Sequence, residues 1–152
     1  MKQVNTSIYP ALFISLMVLF VLAGCAAGNK QQSLQIMDNG TVYDVEQELY
    51  WQQGHSRRMT TAAEAQEYVD SLRLGGYDDW RLPTRAEFHN LFFSYDFGKV
   101  DKKQADLNLE TNYWIHDNDG KSVPGSWEKA DTCCIVREFH YAKKGFVRAV
   151  RP

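Results

Sequence analysis

The chain has 152 residues, 44% of them hydrophobic and 24% charged, and a formal net charge of -2. This length and composition suit one globular domain and exclude a disordered or fibrous chain. A balance so close to neutral argues against nucleic-acid binders, which carry a clear basic excess, and leaves room only for a local basic patch.

The chain opens with Lys2 and an apolar run from Ala11 to Leu22. That run is too short to span a bilayer and suits the apolar core of a signal peptide. Leu22-Ala23-Gly24-Cys25 follows and resembles a bacterial lipobox. The resemblance implies a lipoprotein signal peptide over residues 1–24, cleavage before Cys25, and acylation of Cys25. A plain secretory signal with a chance Cys is the competing reading. Two or more acyl chains hold a protein stably, so the membrane is the expected partner. Ala26, rather than Asp, follows the Cys, which in a Gram-negative cell favours the outer membrane. Residues 25–38 are small and polar, which predicts a flexible tether.

Residues 39–152 form the expected domain. Asn39-Gly40 signals a turn, and Thr41 to Val45 and Leu49 to Trp51 predict a hairpin closed by Glu46-Gln47-Glu48. Thr61-x-x-Glu64 is a capping box that opens a helix to about Leu74, with Ala62, Ala65, Val69 and Leu72 on its apolar face. Gly75-Gly76 can stop that helix by taking positive φ. Pro83 keeps Leu82 extended, and Thr84-x-x-Glu87 caps a second helix from Arg85 to about Ser94. Its buried stripe is Phe88, Leu91, Phe92 and Tyr95. Trp80 and Leu82 are apolar groups in a polar turn and are expected to plug into the core.

Residues 97–111 read as a long surface connection with one helical turn. Tyr113 to His116 predicts a strand, Asp117 to Gly120 a turn, and Pro124-Gly125 another turn. Cys133 to Arg137 reads as a central strand and Phe146 to Arg151 as the last one. Strands, then helices, then strands argue for α+β with a largely antiparallel sheet.

Several runs resemble one family: Asp38-Asn39-Gly40-Thr41-Val42, Gly76-Tyr77-x-Asp79-Trp80-Arg81-Leu82-Pro83-Thr84-x-x-Glu87, Tyr113-Trp114, and Gly145-Phe146-Val147-Arg148-x-Val150-Arg151. The family is named for the C-terminal domain of the Legionella collagen-like adhesin. The resemblance covers about residues 38–152. It implies a C-type-lectin-like variant with two helices on a mainly antiparallel sheet, and an envelope or extracellular location. In the adhesin it implies trimerisation and binding of sulfated glycosaminoglycans. Members often pair a Cys on the first helix with one in the last strand. Val69 and Ala149 stand at those positions here, so apolar packing is expected to replace the disulfide.

Cys133-Cys134 leaves three readings open: a strained vicinal disulfide, an intermolecular bridge, or a buried Cys beside a half-exposed thiol. His116, Cys133, Cys134 and His140 match no common zinc spacing, and the Asp117-Asn118-Asp119-Gly120 run lacks the Glu of a calcium loop. No metal or cofactor is expected. Gly-x-Ser-x-Gly, His-Glu-x-x-His, phosphate-loop and dinucleotide motifs are absent from the sequence, which predicts a non-catalytic domain. Arg81 reads as a structural ion-pair partner of Asp78, Asp79 or Glu87. Arg148 and Arg151 alternate with Val147 and Val150, as residues paired with acids or lining an exposed sheet face would. Trp51 and Trp114 are expected in the core, and His89 on the surface. An exposed Trp127 for stacking, with Arg57, Arg58, Lys143 and Lys144 for anions, is the candidate ligand surface. The expectation is an envelope-anchored binding module for glycan or protein. The alternatives are a structural, oligomerising envelope protein and, third, an uncharacterised enzyme.

Overall fold

A computed structural model describes residues 32–105, 107–129 and 137–152. The element order is β1 (Leu34–Ile36), β2 (Thr41–Asp44), β3 (Leu49–Gln52), α1 (Ala62–Ser71), α2 (Arg85–Phe97), α3 (Lys102–Ala105), β4 (Tyr113–His116), β5 (Ser122–Lys129), β6 (Arg137–Tyr141) and β7 (Val150–Arg151). The domain is α+β, as expected, but carries two antiparallel sheets rather than one. They are ordered β1-β2-β3-β7 and β4-β5-β6. The predicted hairpin is present, with Val42 opposite Trp51 and Asp44 opposite Leu49.

The domain also starts earlier than residue 39. Leu34 is fully buried, and Leu34–Ile36 pairs with β2, so the second half of the predicted tether belongs to the sheet. Alternation in Leu34-Gln35-Ile36 is too short to stand out from a polar linker, and only pairing with β2 reveals the strand.

Both capping boxes form. Thr61 and Glu64 cap α1, and Thr84 and Glu87 cap α2. The helix α1 ends at Ser71, before the two glycines. Gly75 and Gly76 take φ of 65° and 85° and make a tight turn in which Tyr77 N–H donates to Leu74 O at 3.1 Å. Positive φ at both central residues is the pattern of a type I′ turn, which glycine adopts without steric cost.

The C-terminal segment lies between the elements. Met59 pairs with Gly145, Arg81 with Val150, and β3 with β7, while Tyr113 runs parallel to Phe146. A Cβ at Gly145 would stand 2.9 Å from Asn112 O and 3.2 Å from Pro124 Cβ, so the close approach of these segments needs glycine. Side chains alternate along the segment. Val147 and Ala149 join Ala65, Val69, Trp80, Leu82 and Trp114 in one apolar cluster. Val150 joins Trp51, Phe88, Leu91, Phe92 and Tyr113 in the other. Val69 and Ala149, which stand where the family often has half-cystines, are both fully buried in the same cluster.

Arg148 is also fully buried, not on an exposed sheet face. Its Nη1 donates to Gln52 O at 2.7 Å and to Gln53 O, and its Nη2 donates to the Tyr113 hydroxyl at 3.2 Å. Arg151 pairs with Asp79 at 2.6 Å and lies 3.8 Å from the Tyr77 ring centroid. Arg81 grips Glu87 through two bonds of 2.8 and 2.6 Å. Trp80 and Leu82 are buried as expected, and Trp80 Nε1 donates to Leu74 O at 3.2 Å. Residues 97–111 are more than a surface connection. Their one turn, α3, is followed by a stretch in which Leu107 and Leu109, with Ala105, are buried. The Pro124-Gly125 pair lies inside β5 rather than at a turn. Arg137 starts β6, which stands at the edge of its sheet among the described strands. Cys133 and Cys134 lie outside the described residues, as does Cys25.

Removing the Arg148 head strands the buried Gln52 carbonyl and the half-buried Gln53 carbonyl, so Arg148→Met should cost about 3 kcal/mol or more in urea unfolding. Trp80→Ala should cost about 3–5 kcal/mol, and Arg57→Ala, at the surface, within about 0.5 kcal/mol. Burial alone would raise the Glu87 carboxyl, but the Arg81 guanidinium and the Thr84 backbone N–H together hold it below its usual value. A depressed carboxylate stabilises the fold fully above its unfolded pKa and ceases to do so as pH falls through its lower folded one. Thermal melts below pH 4.5, the unperturbed value, should therefore lose stability less steeply in Glu87→Gln than in the parent.

Candidate functional site

The proposed ligand residues separate into two places. Trp127 is not an exposed loop residue. It sits in β5, 8% exposed, opposite Phe139. Its ring meets Phe139 at 5.2 Å and His89 at 4.9 Å, and the Arg85 guanidinium lies 5.5 Å from its centroid. The Gly-Ser-Trp run looks like a loop in sequence, but Pro124 and Gly125 pair with Trp114 and Tyr113 of β4, and the pairing with β6 begins only at Gly125. Burial of His89 against this ring likewise replaces the expected surface position with a half-buried one.

The four cations flank one backbone pairing. Ser56 N–H donates to Val147 O at 2.9 Å, and Met59 and Gly145 exchange backbone bonds of 2.7 and 3.1 Å. In this antiparallel pairing Arg57 and Arg58 run alongside Val147 and Phe146, while Lys143 and Lys144 precede Gly145 at the other end. All four are exposed. Ala142 N–H donates to Pro124 O at 2.8 Å and ties that loop to β5. Arg58 lies 5.0 Å from the Phe146 ring centroid, and His55 packs on the same ring at 4.5 Å. Arg57 reaches Glu64 at 3.3 Å. The Glu64 carboxylate accepts from Thr60 N–H and hydroxyl and from Thr61 N–H, and these bonds take its pKa from 4.5 to about 2. It stays ionised at any physiological pH and offsets one of the four charges.

Tyr141, two residues before Lys143, is 65% exposed and stacks edge-on to Phe139 at 5.2 Å. The aromatic face that sequence patterns assigned to Trp127 is thus offered by Tyr141. Its signal was weak, because a Tyr at the end of a strand is as often core as surface. Together the loop presents one exposed ring and several cations, a combination that suits an anionic ligand with an apolar face.

A second hollow, of about 550 Å³, lies beside Glu110, Asn112, Trp127, Glu128 and Arg137. Arg137 is held there by Asp96 at 2.5 Å and lies 4.3 Å from the Phe92 centroid, so its charge is committed to the fold. Among the described residues no group of three or more His, Cys, Asp or Glu could hold a metal ion. Asp117 Oδ1 accepts from Asp119 N–H at 3.0 Å and Lys121 N–H at 2.8 Å, which closes the predicted turn. No described helix is long and apolar enough to cross a membrane.

No curated protein and no solved structure matches the chain. The family model described as the Lcl C-terminal domain matches residues 40–151, the same span in which the helix-joining turn, the capping boxes and the last strand have been traced. On that match the chain belongs to the Lcl C-terminal domain family.

Proposed function

We propose that this is an envelope lipoprotein, anchored through Cys25, whose domain is a non-catalytic module that binds anionic glycans. The observation that carries the reading is the pairing of residues 56–59 with 145–147, which puts the exposed Arg57 and Arg58 on a segment next to the one that carries the exposed Tyr141, Lys143 and Lys144. Cations on two neighbouring backbone segments keep a fixed spacing, so a sulfated or carboxylated chain meets them without ordering a long loop. Tyr141 supplies a flat apolar face for a sugar ring, and the backbone under the ledge is tied to both sheets. The C-type-lectin-like description rests on the family; two flanking helices and two small antiparallel sheets, with the first and last strands in one sheet, support it. The outer-membrane address rests on the lipobox-like run and Ala26.

Binding of the full chain to immobilised heparin, used as a probe polyanion, tests the reading. The parent should be retained and should elute earlier as salt rises. Arg58→Glu with Lys143→Glu and Lys144→Glu should weaken binding at least about tenfold, and Tyr141→Ala by about 1 kcal/mol. Binding untouched by the charge reversals would overturn the assignment of the surface. A parent that binds no polyanion but self-associates through this loop would favour the structural alternative.

A further inference from the structure

The exposed large apolar side chains among the described residues include Phe93 at 58% and Phe97 at 49%. They are one helical turn apart near the C-terminal end of α2, with ring centroids 5.0 Å apart. Isolated surface rings are ordinary, but a stacked pair facing water is not explained by the core, which takes Phe88, Leu91 and Phe92 instead.

The place where the chain enters the domain lies beside this pair. Ser33 N–H donates to Lys99 O at 3.2 Å. A Cβ at Gly98, the residue after Phe97, would sit 2.5 Å from Ser33 Oγ, so Ser33 is packed directly on the helix end. Only residues 26–32 separate Cys25 from Ser33. Fully extended, that stretch reaches about 28 Å. Lys99, Lys102 and Lys103 follow the pair and are exposed, with Lys102 Nζ 5.0 Å from the Tyr95 ring centroid. Three acids stand at this corner, and Glu46 accepts from the Ser33 hydroxyl at 3.4 Å. Asp96 is held by Arg137, and Asp101 accepts from the N–H groups of Lys103 and Gln104.

We propose that this corner is a bilayer-contact face: Phe93 and Phe97 enter the headgroup boundary while Lys99, Lys102 and Lys103 meet anionic headgroups. The proposal rests on the lipid-anchor reading of Cys25. The anchor keeps the corner within a short reach of the surface, so a contact too weak to recruit a free protein is populated once tethered. Rings at the boundary beside lysines facing phosphate are the usual composition of an interfacial contact. Docking there would fix which way the domain faces rather than whether it is bound.

The test uses the full acylated chain in vesicles of phosphatidylethanolamine and phosphatidylglycerol. A photoreactive p-benzoylphenylalanine replaces Phe97, or Glu67 on α1 as the comparison site, and lipid adducts are counted by mass spectrometry. Position 97 should give at least fivefold more adducts than position 67. Lys99→Glu with Lys102→Glu and Lys103→Glu should cut that yield at least threefold, as should replacing phosphatidylglycerol by phosphatidylcholine. Equal yields at 97 and 67 in a chain that carries labelled palmitate would overturn the contact and leave the anchor standing. A chain that never takes up palmitate would overturn the anchor, and the proposal with it. Capture of a protein rather than lipid at position 97 in cells would also overturn it.

Discussion

A buried guanidinium is the constraint around which this domain is assembled. Arg148 lies in the last segment, has no acidic partner among the described residues, and donates through its two terminal nitrogens to the carbonyls of Gln52 and Gln53 and the hydroxyl of Tyr113, leaving its buried Nε without a partner. Burying a charge this way is costly unless the acceptors are held in place. The acceptors come from the end of β3 and from β4, so the same interaction that compensates the charge also fixes the two sheets relative to each other. Tyr113 passes the bond on by donating to Asn108 O, which draws the connection after α3 against the core. Gln52 adds to the arrangement: its Oε1 accepts from Ala149 N–H at 3.2 Å and its Nε2 donates to the Tyr68 hydroxyl at 2.7 Å, reaching α1.

The turn between the helices works as the complementary pin. Arg81 meets Val150 through two backbone bonds and Glu87 through its side chain. Glu87 in turn accepts from Thr84 N–H at 2.8 Å. One carboxylate therefore caps α2 and anchors the arginine whose backbone extends the C-terminal pairing. The basic ledge depends on the same segment. It exists because residues 145–147 run beside residues 56–59, and it would disperse if the last strand were displaced. The proposed membrane corner is built from other elements, α2 and the start of β1, so ligand binding and lipid contact do not compete for the same residues.

Much of this was legible from residue types alone. Thr-x-x-Glu twice, a pair of glycines and a proline carry local, short-range physics, and the helix starts fall where those residues put them. Trp80 and Leu82 read as core because large apolar groups in a polar turn have few other uses, and Trp51 and Trp114 lie in predicted strands. Where reading by pattern went astray, the pattern was too short or too permissive. Leu34–Ile36 is a three-residue strand, invisible without its partner. Pro124-Gly125 is a turn signal that strand pairing overrode. Trp127 was placed outside by its small neighbours and inside by Phe139, His89 and Arg85.

By itself, then, the sequence determined the helix caps, the hairpin, the family and the identity of the charges, since each depends on residues within a few positions of one another. Tertiary structure decided which charges are buried and which stay exposed. Arg148 is enclosed because its segment runs between the two sheets, and Arg58 is exposed although Met59 next to it is buried. That distinction is set by contacts 91 to 97 residues apart along the chain, between the last segment and the stretch around Gln52 to Ser56. Their geometry exists only once the chain has closed on itself.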